Sequence, residues 1–268
     1  KLVTRNIILP LWNSYSFFST YANADEITNE DLMKALPVEE RSLMDRWIIS
    51  SLQSLIKTVN EKMENYYLYE VIPPLMNFVD ELTNWYVRSN RKRFWKEKGI
   101  DDIDKINAFK TLHEVLLEFN KAMAPVLPFI CEKIYQGLID EEKTSIHYCD
   151  YPETNPKLID KDLEESVVLA KKIIKSVRNL RVKLKLPNKQ PLNSVTVISD
   201  SKNISSQLNI ISNLIMNEVN VKEIKIDENV EDWIDYEFKP NFEALGPTLG
   251  KDINKVSKYL SNITEDQK

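Results

Sequence analysis

The residues that could do chemistry are concentrated at positions 84–95, which read NWYVRSNRKRFW. This stretch combines two tryptophans, a tyrosine and a phenylalanine with three arginines and a lysine. Arginine and lysine bind phosphate groups, and an exposed aromatic ring stacks on an unpaired base for about 1 to 3 kcal/mol. The same residue types could instead anchor a helix in a core, because aromatics at helical spacing are usually buried. Composition alone leaves both interpretations open.

A helical wheel at about 100° per residue divides this part of the chain into two faces. The apolar positions share one direction: Leu75, Phe78, Val79, Leu82 and Tyr86. Arg88, Lys92 and Trp95 rotate away from that direction, and Trp85 lies at the margin. We therefore predict a helix whose first half packs in a core. Its last turns would present an aromatic and cationic strip, a combination suited to single-stranded RNA.

A second basic segment, residues 166–192, contains eight basic residues and no acidic one. On a helix, five of them would form one stripe beside an apolar face: Lys171, Lys175, Arg178, Arg181 and Lys185. In one interpretation the stripe binds RNA phosphates, and in two others it is a solvated face or lies on an anionic membrane. The apolar face lacks tryptophan and phenylalanine, which argues against the membrane.

The usual catalytic groupings are not evident in the sequence, which lacks a glycine-rich phosphate loop. His113 falls on the core side of its helix, which favours a structural role. His147 and Cys149, with the distant Cys131, do not provide the third and fourth ligands of a metal site. We predict neither catalytic residues nor metal ligands.

Composition limits the remaining possibilities. The 268 residues carry a formal net charge of -5, so any binding of nucleic acid must come from local basic clusters. Two cysteines exclude a disulfide scaffold and favour a reducing compartment. The sequence has no apolar run near the roughly 20 residues that cross a bilayer, so we expect a cytoplasmic protein without a membrane partner.

The elements that must position these residues follow from hydrophobic periodicity. Five helices and no convincing strand before residue 140 predict an all-α bundle over residues 1–149. The predicted helices cover residues 4–24, 43–66, 75–99 and 104–123, followed by the segment PFICEKIYQGL. The proline-rich segment HYCDYPETNPKLID predicts a surface linker and a domain boundary near residue 150.

A different pattern predicts a small α+β domain over residues 150–268. It begins with a long helix at 162–185 and a strand in SVTVIS, followed by a helix near 203–217. Strands in VKEIKI and DWIDYEFK and a last helix at 248–260 would complete it. The predicted fold class is therefore mainly α, a helical bundle followed by a small α+β domain.

Four segments, in this order and spacing, resemble the anticodon-binding region of isoleucyl-tRNA synthetases: LPLWNSYSFF, DRWIISSLQSLI, NWYVRSNRKRFW and PFICEKIYQGL. The later KPNFEALGPTLG is similar to the C-terminal junction of the same family. The resemblance implies a class I synthetase fragment with its catalytic and editing domains upstream, since neither HIGH nor KMSKS occurs. A chain that opens on Lys1 agrees with that expectation. ATP and Mg²⁺ would then belong to the missing catalytic domain, and this chain would need no cofactor and catalyse nothing alone.

The resemblance also implies roles for single residues. In related methionyl enzymes, an asparagine on the first bundle helix and a tryptophan ending the arginine helix read anticodon bases, and the matching positions are Asn13 and Trp95. Arg88, Arg91 and Lys92 would neutralise phosphates. The implied partners are the tRNA(Ile) anticodon arm and the upstream catalytic domain of an isoleucine-tRNA ligase.

Two further expectations concern the type of protein. Bacterial members of the family end in a cysteine-ligated zinc module, which two cysteines cannot build, so the chain resembles the eukaryotic type. The alternative from another functional class is a helical scaffold that docks partner proteins, with the basic helix facing an acidic surface.

Overall fold

The computed structural model describes residues 3–97, 99, 102–139, 144–199, 204–233 and 250. The chain divides into two compact units, Lys1–Lys172 and Ile173–Lys268. Helix α8 (Lys161–Lys183) carries the chain from the first unit into the second. The fold class is mainly α with a small α+β part, as predicted.

The described residues of the first unit are all α. Its helices before α8 are α1 (Leu9–Ala24), α2 (Asn29–Met33), α3 (Leu43–Glu64), α4 (Ile72–Asp80), α5 (Arg88–Trp95), α6 (Ile103–Met123) and α7 (Pro128–Gln136). Single 3-10 turns lie at Val38–Glu40, Leu68–Glu70, Ile146–Tyr148 and Pro156–Leu158. The five predicted helices are confirmed. The sequence interpretation missed α2, one turn begun by a capping box between Thr28 and Asp31.

Two π-helical turns extend these helices. Thr4–Ile8 leads directly into α1, and Glu81–Val87 joins α4 to α5, so residues 72–95 form one continuous helix. A π-helical turn contains more residues than an α-helical turn, so the turn at Glu81–Val87 rotates the faces of α5 relative to those of α4. α1 packs against the turn at Glu81–Val87.

Helix α3 shows why these segments fold as they do. The Ser42 hydroxyl accepts a hydrogen bond from the Asp45 N–H at 3.3 Å and so begins the helix. Its apolar residues at three- and four-residue steps, including Trp47, Ile48 and Ile56, are buried as far as Val59, and Met63 in the last turn is exposed. Across the same core, the rings of Phe78 and Phe119 stack with centres 5.1 Å apart.

The segment predicted as a linker packs along α3 within the first unit. The Asn60 side chain donates to the Pro152 carbonyl at 3.2 Å, and the Asn155 N–H donates to the Gln53 side-chain oxygen at 2.7 Å. The predicted boundary near residue 150 stays a prediction, but this segment belongs to the compact unit that ends at Lys172.

The second unit contains β1 (Leu192–Ile198), α9 (Ile204–Val219) and β2 (Val221–Asp227), followed by a 3-10 turn at Val230–Trp233. The strands pair in parallel, from Leu192 opposite Val221 to Ile198 opposite Asp227, with α9 as the connection. Both strands and α9 confirm the predicted pattern. Trp233 of the predicted strand DWIDYEFK lies in the 3-10 turn, and residues 234–239 are outside the described part. The predicted helix at 248–260 is also outside it, apart from Gly250. None of the described helices has the length and apolar character needed to span a membrane.

Candidate RNA-binding surface

Helix α5 is held in place by Arg93. The Asp45 carboxylate is 0% exposed and accepts two parallel hydrogen bonds from the Arg93 guanidinium, both at 2.8 Å. Arg93 also pairs with Asp104 at 2.7 Å, and the Tyr86 hydroxyl donates to Asp45 at 2.7 Å. Although burial opposes a charged guanidinium, the bonds and charge of Asp45 raise the Arg93 pKa above its ordinary value. These contacts fix α5 to α3 and α6.

The last two turns of α5 divide between core and solvent as the wheel predicts. Phe94 is buried, with its ring against Phe109 at 5.0 Å and Phe17 at 5.1 Å. Trp95 is 54% exposed, and Arg91 and Lys92 are exposed. Within the described part of the chain, neither of these two cations forms an ion pair. The end of the helix therefore presents an indole beside two unpaired positive charges.

Trp85 is half-buried, which agrees with its place at the margin of the wheel. The Arg88 guanidinium carbon lies 5.5 Å from its ring centre, and the Lys171 ammonium lies 5.4 Å from the same ring. Lys171 also lies 4.4 Å from the Trp47 ring centre and pairs with Glu81 at 2.7 Å. Cations held over aromatic faces stabilise such a cluster. Lys171 thereby joins α8 to the helical bundle.

Asn13 is exposed on α1, whose opposite face is buried through Leu11, Ser14 and Phe18. The contact between the Phe17 and Phe94 rings connects α1 to α5. Asn13 and Trp95 therefore lie on two helices that meet at one ring contact. A free amide in this position can donate and accept hydrogen bonds at a base edge.

The continuous basic stripe predicted for α8 is not present. Arg178 pairs with Glu218 at 2.5 Å, and Arg181 is 3% exposed with its hydrogen bonds to backbone carbonyls. Lys175 is exposed on the helix, and Lys185 is exposed just beyond its end. The wheel missed the partners because they are brought close only by the fold. Whether these residues contact RNA stays a prediction.

A sequence comparison now places the chain in a family. The family described as "Anticodon-binding domain of tRNA ligase" matches residues 45–197, more than half of the chain. The chain belongs to this family. The match includes α5 and α8 and so covers the predicted RNA-binding residues except Asn13.

Full-length relatives of this anticodon-binding domain agree with the resemblance seen in the sequence. The isoleucine-tRNA ligases of Clostridium novyi and Treponema denticola are 36% and 34% identical over 99% of this chain. The cytoplasmic isoleucine-tRNA ligase of Saccharomyces cerevisiae is 32% identical over 100% of it. The chain spans about a quarter of the length of these relatives, 25% to 26%. Because bacterial and yeast relatives are similarly close, the eukaryotic type stays a prediction.

The histidine and the two cysteines considered above as metal or catalytic candidates, His113, Cys131 and Cys149, are buried or bonded to neighbouring residues. His113 Nε2 lies 2.9 Å from the Leu138 carbonyl oxygen, which agrees with its predicted structural role. Burial raises the pKa of the Cys131 thiol to about 12. The Cys149 thiol donates to the Tyr135 hydroxyl at 3.1 Å. The described residues contain no group of three or more His, Cys, Asp and Glu side chains that could hold a metal ion.

Sequence reasoning overlooked residues that position the surface. Arg93 was not distinguished from the other basic residues of its helix, although it is the one locked to Asp45. The signal that could have found this pair is Asp45 itself, a lone acid inside the apolar stripe of α3. A buried acid needs a partner, and a basic residue on an adjacent helix is the usual one.

Proposed function

We propose that this chain is the tRNA-binding part of an isoleucine-tRNA ligase and that the end of α5 holds the anticodon arm of tRNA(Ile). One observation carries the proposal: Trp95 is half-exposed beside Arg91 and Lys92, which form no ion pair with any residue that the structure describes, on a helix locked by Arg93 and Asp45. The names of the relatives support isoleucine as the amino acid. The label of the yeast relative supports a cytoplasmic location.

The chemistry of each residue follows from its surroundings. The exposed face of the Trp95 indole stacks on an unpaired anticodon base, while Arg91 and Lys92 neutralise neighbouring phosphates. Arg88 lies one helical turn before them, and the Asn13 amide pairs with a second base edge. Since Arg93 and Asp45 hold α5 before RNA arrives, binding spends little free energy on ordering the helix.

The rest of the ligase reaction belongs to the longer protein. In that protein, a catalytic domain would use ATP and Mg²⁺ to join isoleucine to the tRNA, and this chain would hold the RNA and supply no reacting group. A protein-docking scaffold is not favoured, because the matched family is defined by anticodon binding. Arg181 is outside the proposed RNA contacts, since it is buried and both of its terminal nitrogens donate inside the second unit.

The experiment measures binding of a tRNA(Ile) transcript to this chain by filter retention over a series of salt concentrations. Trp95→Ala should weaken binding by about 1 to 3 kcal/mol, roughly 5- to 150-fold, because the stacking surface is lost. Trp95→Phe keeps an aromatic face and should retain most of the affinity. In the double variant Arg91→Gln with Lys92→Gln, the slope of log binding constant against log salt concentration should become shallower by about 1 to 2.

A matched control is Lys133→Gln, which neutralises an exposed lysine on α7. If Trp95→Ala binds tRNA like the parent chain, the stacking role is wrong. Loss of secondary structure in that variant, seen by circular dichroism, would instead assign Trp95 to the core of the bundle.

A further inference from the structure

The basic residues from Arg178 to Lys189 fall into two groups. Arg178 and Arg181 have acceptors inside the second unit. Lys183, Lys185 and Lys189 are exposed, and within the described residues none of them forms an ion pair. Residues 166–192 contain no acid that could neutralise them from within the segment. We call residues 182–189, where α8 ends and the chain turns toward β1, the cap segment.

The cap segment is held by a buried guanidinium. Arg181 Nη1 donates to the carbonyls of Pro187 and Gln190, both at 3.0 Å. Its Nη2 donates to the carbonyls of Val219 and Asn220 at 2.8 and 3.1 Å. A buried cation is costly unless its donors are satisfied. Arg181 thus ties the cap segment to the turn between α9 and β2.

Asn220 supplies a second tie from that same turn. Its side-chain amide donates to the carbonyls of Asn188 and Lys189 at 3.1 and 3.0 Å. Asn220 and Lys185 both have left-handed backbone conformations, with φ of 53° and 56°. At the end of α8, the Leu186 N–H donates to the Arg181 carbonyl at 2.8 Å and completes a helix-ending turn. The backbone of the cap segment is therefore held from several sides.

The cap segment exposes aliphatic side chains between its lysines. Val182 is 77% exposed and Leu184 is 67% exposed, and they alternate with Lys183 and Lys185. Neither aliphatic side chain contributes to the core of the unit. Exposed apolar groups beside unpaired cations, on a backbone fixed by buried bonds, have the composition of a binding surface.

We infer that the cap segment is a second RNA-binding surface, in which Lys183, Lys185 and Lys189 contact phosphates and Val182 and Leu184 contact ribose or base faces. The inference rests on the proposed function, since it takes RNA as the ligand. Charge favours RNA, because a polyanion neutralises three fixed cations at once. A lipid surface is the weaker alternative, because this segment has neither tryptophan nor phenylalanine, two of the side chains that membrane-surface helices bury.

In this arrangement Arg181 and Asn220 are positioning residues. They do not touch the RNA, but they hold the backbone that carries the lysines before binding, which reduces the backbone entropy lost on association. The basic helix predicted from the sequence thus acts through its C-terminal end. Its buried Arg181 holds the turn that follows Lys183 and carries Lys185 and Lys189.

The test compares two triple variants of this chain that lose the same charge. Lys183→Gln, Lys185→Gln and Lys189→Gln together remove the cations of the cap segment. Lys133→Gln, Lys157→Gln and Lys222→Gln together remove three exposed lysines elsewhere. Binding of a tRNA(Ile) transcript should weaken about tenfold or more in the first variant, with a salt slope reduced by about 2 to 3 units. The second variant should stay close to the parent.

Asn220→Gly tests the positioning role, since glycine keeps the left-handed backbone and removes only the two amide bonds. Affinity should fall while the salt slope is unchanged, because no charge is lost. An unchanged affinity would remove Asn220 from the positioning role.

Four results would overturn the inference. If both triple variants lose equal affinity, the effect is bulk charge. If the cap variant binds tRNA normally but Trp95→Ala does not, the cap inference fails and the proposed function stands. If neither changes tRNA binding, the proposed function fails with it. If the cap variant binds tRNA normally but loses binding to phosphatidylserine vesicles, the ligand is a lipid surface.

Discussion

The ring of Tyr15 lies directly against the backbone of Gly137. A β-carbon built on Gly137 would be 1.9 Å from the Tyr15 hydroxyl oxygen and 2.7 Å from Cζ. The φ of Gly137 is -93°, a value open to any residue, so it is the close approach that requires glycine here. The contact packs the end of α7 against α1, the helix that presents Asn13.

Gly137→Ala is therefore expected to lower the free energy of unfolding by about 1 to 3 kcal/mol, because the added methyl group forces the Tyr15 ring to move. Urea denaturation measures the change. Gly99→Ala is the matched control, since a β-carbon there meets no heavy atom closer than 3.9 Å. In a Tyr15→Ala background the cost of Gly137→Ala should largely disappear. An equal cost in both backgrounds would contradict the proposed clash.

Arg93→Met should destabilise the fold by about 3 to 5 kcal/mol, because it leaves the buried Asp45 carboxylate without its charged partner. Arg91→Met, on the exposed side of the same helix, should change stability by less than about 0.5 kcal/mol. Adding Asp45→Asn to Arg93→Met should recover part of the loss, since no uncompensated buried charge remains. Strictly additive effects in this double-mutant cycle would show that the two residues are not coupled.

Glu164 should make stability depend on pH in the acid range. Its carboxylate accepts hydrogen bonds from Lys161 at 2.8 Å and from the Ser50 and Ser54 hydroxyls at 2.5 and 2.7 Å. Burial alone would raise the Glu164 pKa, but these hydrogen bonds outweigh it and lower the pKa below the ordinary 4.5. The stabilisation is therefore fully present above about pH 4.5 and is lost as the pH falls through the lowered value.

The measurement compares the melting temperatures of the parent and Glu164→Gln between pH 3 and 7. Their difference should be largest at neutral pH and should shrink below about pH 4.5. Glu165→Gln, at an exposed neighbouring position, controls for the loss of one negative charge. A difference that is the same at pH 3 and pH 7 would show that ionisation of Glu164 does not stabilise the fold.

Much of the architecture was predictable because helical and strand periodicities are local. The apolar stripe of α3 reports which face of the helix is buried, and the β-branched alternation in β1 indicates a strand, without reference to any other segment. The short helix α2 was missed, since five residues are too few to show a period. For the candidate site, the wheel predicted which side chains are buried and which are exposed: Tyr86 is buried and Trp95 is exposed.

The sequence by itself determined the residue types available for RNA binding, the helical bundle that carries them and the family resemblance. Only the tertiary structure decided which cations are unpaired. Arg178 meets Glu218 forty positions along the chain, and Arg93 meets Asp45 forty-eight positions away. The face of a helix is set by neighbours three and four residues apart, but the partner of a charge is set by distance in space. Such distances exist only after the chain has folded. In the folded chain Lys92 and Lys185 are exposed, whereas Arg93 is paired with Asp45 and Arg181 is buried.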